Sequence, residues 1–290
     1  MSFSSEAKEE LSKINNLANK EEVQAELSGY LISNNTSIVN NKIKFATESE
    51  YNINRFSKLL NNVEIIDYKI DMQGKSFVIT FNKSDVENLV NINNDAIFIK
   101  EPEGNKEYIK ALIRGIFLGS GSINNPKNTY HLEIGLSQRK NAEFIAKTLE
   151  NMNVKVKNFE TKNSWFLYIK DGEEMSKFLA LIGANNSVLK FEGIRVERDI
   201  NNKVNRLVNC ETANLNKTIN AAVEQIEAIK HLQKVNAFDK LNDNLKEIAI
   251  VRLEHPDSAL SELGSYLKEP IGKSGVNYRL KKIIEIAKEN

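Results

Sequence analysis

Gly115-Ile116-Phe117-Leu118-Gly119, followed at once by Ser120-Gly121-Ser122-Ile123, is the stretch on which the fold turns. It closes the helical pattern of Lys106–Leu118, in which Tyr108, Leu112, Ile116 and Phe117 are expected towards a core. About 85 residues earlier, Gly29-Tyr30-Leu31-Ile32-Ser33 closes a second helical run, Glu21–Ile32, carrying Val23, Leu27, Tyr30 and Leu31. That run also leads to Ser-Ile, at Ser37-Ile38. Two helix ends of the same wording, each followed by the same dipeptide, indicate an internal duplication.

The surrounding pattern repeats as well. After the first marker come strand-like stretches at Ile38–Ala46, Glu64–Met72 and Lys75–Phe81, with helices expected at Ile53–Leu60 and Asp85–Val90. Ala96–Asn105, with Pro102 and Gly104, reads as a connector. After the second marker, Tyr130–Ser137, Val154–Glu160 and Trp165–Lys170 are strand-like, and Arg139–Asn151 and Glu173–Ile182 are helical. The order α-β-α-β-β-α thus occurs twice, at about 20–92 and 106–184, within an α+β domain over 1–195. Beyond residue 200 the strand signals stop. Residues 196–210 read as a linker, and 211–290 as an all-α domain whose first helix carries Leu215, Ile219, Ala222, Val223, Ile226, Ile229 and Leu232. A cap for that helix is expected among Asn209 and Thr212.

The 290 residues are 41% hydrophobic and 27% charged, values of a globular chain with ample core material. The N-terminus has acids where a secretory peptide would have a basic and then an apolar run, and no apolar stretch is long enough to span a bilayer. One cysteine, Cys210, excludes an internal disulfide or a Cys-cluster metal site. The expected location is cytoplasmic. The net charge of +1 hides a division: 1–105 carry 11 Lys/Arg against 16 Asp/Glu, 106–194 carry 13 against 9, and 195–290 carry 16 against 14.

The last fifty residues hold three helical patterns. Leu241–Leu253 ends at His255-Pro256-Asp257, and Asp257 or Ser258 is placed to cap a short helix with Leu260, Leu263 and Leu267. The turn Lys268-Glu269-Pro270-Ile271-Gly272 follows, then a helix over Lys273–Lys288 with Val276, Leu280, Ile283 and Ala287 inward. Two short helices, a glycine-bearing turn and a basic last helix form a helix-turn-helix, over 241–290. Lys273, Ser274, Asn277, Tyr278 and Lys281 are expected outward, and between Pro270 and Ile284 there are four bases and no acid. Asn can pair with adenine, and Lys or Arg with guanine or phosphate. The DNA-binding set is therefore Lys273, Ser274, Asn277, Tyr278, Arg279, Lys281 and Lys282; Arg279 borders the apolar face and could instead clamp an acid. The bland alternative is a basic terminal helix in an ordinary bundle.

Three segments carry a family resemblance: Ser2-Phe3-Ser4-Ser5-Glu6-Ala7-Lys8-Glu9-Glu10-Leu11, Asn205-Arg206-Leu207-Val208-Asn209-Cys210-Glu211-Thr212-Ala213-Asn214, and Gly272-Lys273-Ser274-Gly275-Val276-Asn277-Tyr278-Arg279-Leu280. Together they resemble the WhiA family, bacterial regulators of sporulation or cell division. The resemblance implies a LAGLIDADG homing-endonuclease-like domain joined to a helix-turn-helix similar to region 4 of sigma factors. It implies double-stranded DNA as partner, with a co-regulator or RNA polymerase beside it, a nucleoid-associated location, and no membrane. No oligomeric state follows. In that nuclease fold the paired motif helices each end near an acid that holds a metal. Here the motif puts Ser120 in one such place and Asn34, or Asn35, in the other, with no Asp or Glu between Gly29 and Asn40 or between Arg114 and Tyr130. Neutral oxygens do not replace carboxylates at a hard cation. The expectation is no catalytic residue, no metal, no cofactor and no nuclease activity. Gly272 stands where the family pattern has a Ser cap, and Tyr278 where it has His, so no operator sequence is carried over.

His131, His231 and His255 are scattered and read as non-ligating. Cys210, expected near a helix start, has no histidine partner and reads as structural. Trp165, Phe166 and Tyr168 are expected to pack a strand. The function expected is a sequence-specific, non-catalytic transcriptional regulator; the alternative is a DNA- or protein-binding adaptor in cell division and chromosome organisation.

Overall fold

A helix not foreseen in the sequence, α1 (Phe3–Ser12), opens the chain; Ser5 N–H donates to the Ser2 cap at 3.1 Å. The computed structural model describes residues 2–100, 105–162 and 164–289. The first motif helix, α2 (Lys20–Ile32), is capped by Asn19 and leads into the hairpin β1 (Thr36–Val39) and β2 (Lys42–Thr47). Helix α3 (Glu50–Asn62) and the hairpin β3 (Tyr68–Gln73) and β4 (Ser76–Asn82) complete a sheet of order β1-β2-β4-β3. The short pair β5 (Val90–Asn93) and β6 (Ala96–Ile99) follows.

The second motif helix, α4 (Lys106–Ser120), begins the second repeat: β7 (Ser122–Ile123), β8 (Leu132–Leu136), α5 (Arg139–Asn151), β9 (Lys157–Glu160), β10 (Trp165–Ile169) and α6 (Gly172–Ile182). Its sheet has the matching order β7-β8-β10-β9. Then come α7 (Asn185–Lys234), α8 (Asp243–Glu254), α9 (Leu260–Ser265) and α10 (Lys273–Glu289). The chain divides into two units, Met1–Asp199 and Ile200–Asn290.

Several expectations are corrected. Ile38–Ala46 is a hairpin rather than one strand. Asn40 and Asn41 both take positive φ, 52° and 58°, the conformation a two-residue primed turn needs and Asn tolerates. Asp85–Val90 is not an α-helix: a 3-10 turn over Lys83–Val86 gives way to β5, because Val90 pairs with Ile99 across the Asn94-Asp95 turn. The connector read at Ala96–Asn105 therefore begins as strand β6, while Pro102 and Gly104 lie outside the described residues. The segment 196–210 is helical throughout and belongs to α7, so no helix starts at Asn209 or Thr212. The cap of α9 is Ala259, whose N–H donates to Glu262 Oε2 at 2.9 Å, rather than Asp257 or Ser258.

The N-terminal unit is built on the contact of α2 with α4. A Cβ on Gly29 would lie 2.2 Å from Leu112 O, and one on Gly115 would lie 2.0 Å from Glu26 O. Each glycine lets the other backbone in, as two related repeats require. The same interface buries Glu26, which accepts from Arg55 Nε (2.7 Å) and Nη2 (2.9 Å) and from Arg114 Nε (3.0 Å). Burial pushes the Glu26 pKa up, but the bonds and charges of Arg55 and Arg114 outweigh it and hold the carboxyl below its usual range. Beside it, Tyr30 OH donates to Asn52 Oδ1 (2.5 Å), and Asn52 Nδ2 donates to Leu118 O (2.9 Å), joining α2, α3 and α4. In the C-terminal unit, Ile229 and Leu232 of α7 share a core with Leu245, Ile248, Leu263, Val276, Leu280 and Ile283.

Two outcomes follow. Gly29→Ala or Gly115→Ala should cost about 3 kcal/mol or more in denaturant unfolding, since backbone rather than a side chain blocks the methyl. Gly193→Ala, in α7 with nothing within 4 Å of its Cβ position, should instead stabilise by about 0.5–1 kcal/mol. Glu26→Gln should cost about 3–5 kcal/mol, because buried Arg55 loses its anion and Arg114 keeps only Glu22, at 3.7 Å. Its contribution is present above the unfolded carboxyl pKa and fades as pH falls through the lower folded value.

Candidate nucleic-acid interface

The ends of the motif helices meet at one strand residue. α4 stops at Ser120 and α2 at Ile32, and the Gly29–Gly115 correspondence makes Asn34 the partner position of Ser120. Ser120 Oγ donates to Gly135 O at 2.6 Å and accepts from Gly135 N at 3.1 Å. Asn34 N–H donates to the same Gly135 O at 3.2 Å, and a Cβ on Gly135 would lie 2.3 Å from Asn34 Nδ2. Asn35 reaches across to the other helix end, its Nδ2 donating to Gly119 O at 2.8 Å. The degenerate positions are thus brought together, and the Ser120 hydroxyl is occupied on the β8 backbone.

Nearby lies a polar cavity of about 440 Å³ that sequence reasoning missed. Ser4, Ser5, Lys8, Asn35, Ser49 and Tyr51 are among its walls. Ser4 Oγ accepts from Ile123 N at 3.1 Å, tying α1 to β7, and Ser49 Oγ has no hydrogen-bond partner among the described residues. Lys8 Nζ sits 5.8 Å from the centre of the Phe117 ring, and burial pushes its pKa down to about 8. Of this wall, the Ser2–Leu11 segment and Asn35 were visible in the sequence.

On β10 the side chains alternate. Leu167 and Ile169 enter the core and Trp165 packs at its edge, whereas Phe166 and Tyr168 lie on the opposite sheet face. There Phe159 stacks on Phe166 with centroids 4.9 Å apart, and His131 stacks on Tyr168 at 5.9 Å. All three thus pack on the sheet, Trp165 on the core side and Phe166 and Tyr168 on the other face. His131 Nε2 also pairs with Glu133 at 3.1 Å. Among the described residues, no three His, Cys, Asp or Glu side chains form a group able to hold a metal. Cys210 is exposed in the middle of α7, so the helix-start argument for its thiolate does not apply.

The helix-turn-helix rests on a second close approach. A Cβ on Gly264 of α9 would lie 2.1 Å from Ile271 O, and Ile271 N–H donates to Gly264 O at 3.2 Å. Gly272 precedes α10, its carbonyl accepting from Gly275 N (2.9 Å) and Val276 N (3.2 Å). With Val276, Leu280 and Ile283 buried, Ser274, Tyr278 and Lys281 fall on the opposite, exposed face; Tyr278 is 71% exposed. The remaining four divide between two flanks. Lys273 and Asn277 line a concavity against α7 and α9. Arg279 and Lys282 line a groove with Lys240, Asn242 and Asn244. Lys282 pairs with Glu285 at 3.1 Å, and Arg279 has no ion pair among the described residues, so it clamps no acid of the earlier helices.

Comparison with known proteins matches both units. The family description "WhiA LAGLIDADG-like domain" fits residues 109–201, and "WhiA C-terminal HTH domain" fits 204–287. A probable cell division protein WhiA of Clostridium beijerinckii is 39% identical, over 100% of this chain and 98% of its own. Its counterpart in Clostridium botulinum is 37% identical over the same shares. The crystal structure of full-length DUF199/WhiA from Thermatoga maritima aligns with a TM-score of 0.61 at 28% identity, covering 100% of this chain and 99% of that one. The N-terminal LAGLIDADG domain of DUF199/WhiA aligns at 0.53 and 27%, covering 63% and 90%. The α+β fold class and the helix-turn-helix domain read from the sequence are those of these proteins.

Lys8 offers a direct measurement. After reductive ¹³C-methylation, one lysine resonance, lost in Lys8→Gln, should titrate at about 8. Because the folded value lies below the unfolded one, the buried ammonium opposes folding below pH ~8, and stability should rise as pH climbs from there towards ~10.4. No lysine titrating below the ordinary range would contradict the burial.

Proposed function

The chain belongs to the WhiA family, and we propose that it is a sequence-specific DNA-binding transcriptional regulator of sporulation or cell division without nuclease activity. The observation that carries this reading is the face of α10: Ser274, Tyr278 and Lys281 stand exposed on a helix held by the Gly264–Ile271 contact. A helix so fixed can enter the major groove, with Tyr278 and Lys281 against base edges and Lys273, Asn277, Arg279 and Lys282 on its flanks. The charge pattern supports it, since the first acid after the turn is Glu285. The relatives are named as probable cell division proteins.

The non-nucleolytic half of the proposal rests on Ser120 and Asn34. A metal-dependent cut needs hard anionic ligands beside the scissile phosphate. Ser120 is neutral and its hydroxyl already donates to Gly135 O. A carboxylate in its place could not make that bond, because it has no proton to donate. In this proposal the protein works in the cytoplasm at the nucleoid, with a co-regulator or RNA polymerase as further partner. One observation favours the adaptor reading: Ile200, Val204, Leu207, Leu215 and Ile219 of α7 form an exposed apolar row that could receive another protein.

Binding to duplexes selected from a random pool separates the two. A regulator keeps its preference for one sequence at physiological salt, whereas phosphate attraction alone fades steeply. Tyr278→Ala and Lys281→Ala should each remove about 1–3 kcal/mol of discrimination while leaving unfolding unchanged. Supercoiled plasmid incubated with the chain and Mg²⁺ or Mn²⁺ should stay uncut; cutting that co-purifies with the chain would overturn the reading of Ser120 and Asn34.

A further inference from the structure

Lys273 and Asn277 do not share the open face of Tyr278. They line a cavity of about 280 Å³ whose other polar walls are Lys217, Thr218 and Gln225 of α7, Arg252 of α8 and Ser261 of α9. The described walls include three cations and no carboxylate. Lys217 and Lys273 form no ion pair with any described residue and are exposed.

Arg252 is the telling member. It is only 2% exposed, yet no carboxylate lies within ion-pair distance of it among the described residues. Its Nε donates to Gln225 Oε1 at 2.9 Å, and its Nη1 to Pro256 O (3.2 Å) and Ser258 O (2.9 Å). Its Nη2 has no described partner. Every other buried arginine among the described residues, Arg55 and Arg114, faces the Glu26 carboxylate. Burial without an acid pulls the Arg252 pKa below the usual guanidinium value. A buried cation in an acid-free cavity with a free donor is arranged for an anion from outside.

We propose that this cavity seats a backbone phosphate of DNA, so that α7 is part of the DNA-binding surface and not only the helix leading to it. The inference rests on α10 being the recognition helix. Phosphates of the groove wall run beside such a helix, and this cavity opens on its flank, at Lys273 and Asn277. Lys217 and Lys273 meet the phosphate oxygens, Ser261 Oγ and Asn277 Nδ2 are further donors, and Arg252 supplies charge from beneath. Nothing here reads a base. The seat adds affinity equally for all sequences and fixes how far α10 enters the groove.

The test uses the full chain, a random-sequence duplex and a duplex selected for tight binding. Lys217→Gln should weaken binding to both by the same several-fold factor. The slope of log affinity against log salt should become shallower by about 0.9. Lys217→Arg should restore both, and thermal unfolding should be unchanged in each variant. If Lys217→Gln binds both duplexes with the parent's affinity and slope while Lys281→Ala loses discrimination, the seat is wrong and the recognition helix stands. If the parent binds neither duplex, both fall. Inorganic phosphate, compared with chloride at equal ionic strength, identifies the remaining case. A phosphate-dependent rise in the parent's unfolding midpoint that Lys217→Gln abolishes, with duplex binding intact, would make this a site for a free anion and overturn the proposal.

Discussion

The N-terminal unit depends on how closely two helix backbones approach. Gly29 and Gly115 leave no room for a methyl group between α2 and α4, and a single added carbon at either would meet a carbonyl oxygen. Side-chain packing tolerates volume-conserving exchange, but a backbone contact has no rotamer with which to yield. From this contact the rest follows. It carries Glu26 into an interface where Arg55 and Arg114 reach it from α3 and α4. It brings the helix ends together, so that Asn34 and Ser120 share the Gly135 carbonyl and Ser33 bridges to Leu136 across the repeats. The two groups placed at the strand, Asn34 and Ser120, are both neutral.

The C-terminal unit repeats the device on a smaller scale. Gly264 admits the Ile271 carbonyl, and this sets the angle at which α10 leaves the turn. Arg252 then fastens the loop between α8 and α9 through the carbonyls of Pro256 and Ser258, and Gln225 links it to α7. Lys268 N–H, donating to Glu247 at 2.7 Å, closes the other side of the turn. The exposed face of α10 is thus fixed by groups outside it, on a rigid scaffold.

Periodicity carried the long elements well. Arg139–Asn151 is helical over the residues its apolar spacing marks, and the two glycine-marked helix ends disclosed the duplication. What periodicity missed depends on partners distant in sequence. Asp85–Val90 has helical spacing, but Val90 is drawn into a strand by Ile99. Asn209 and Thr212 are of cap-forming type, yet here they lie exposed within one continuous helix. Phe166 and Tyr168 could not be assigned to a sheet face before β9 was known to supply Phe159. At the site, the outward set was read from helical angle alone, which placed Ser274, Tyr278 and Lys281 together. It could not separate Lys273 and Asn277 from them, because that division is made by α7 and α9. Lys8 and Arg252 were invisible for the same reason: their burial comes from other elements.

The account holds that one helix face in the C-terminal unit chooses the sequence while the nuclease-like unit does not cut. Sequencing the DNA cross-linked to the full chain in its host cell tests that claim most directly. The account predicts that bound fragments share one short sequence. Fragments spread over the chromosome with no common sequence would contradict it.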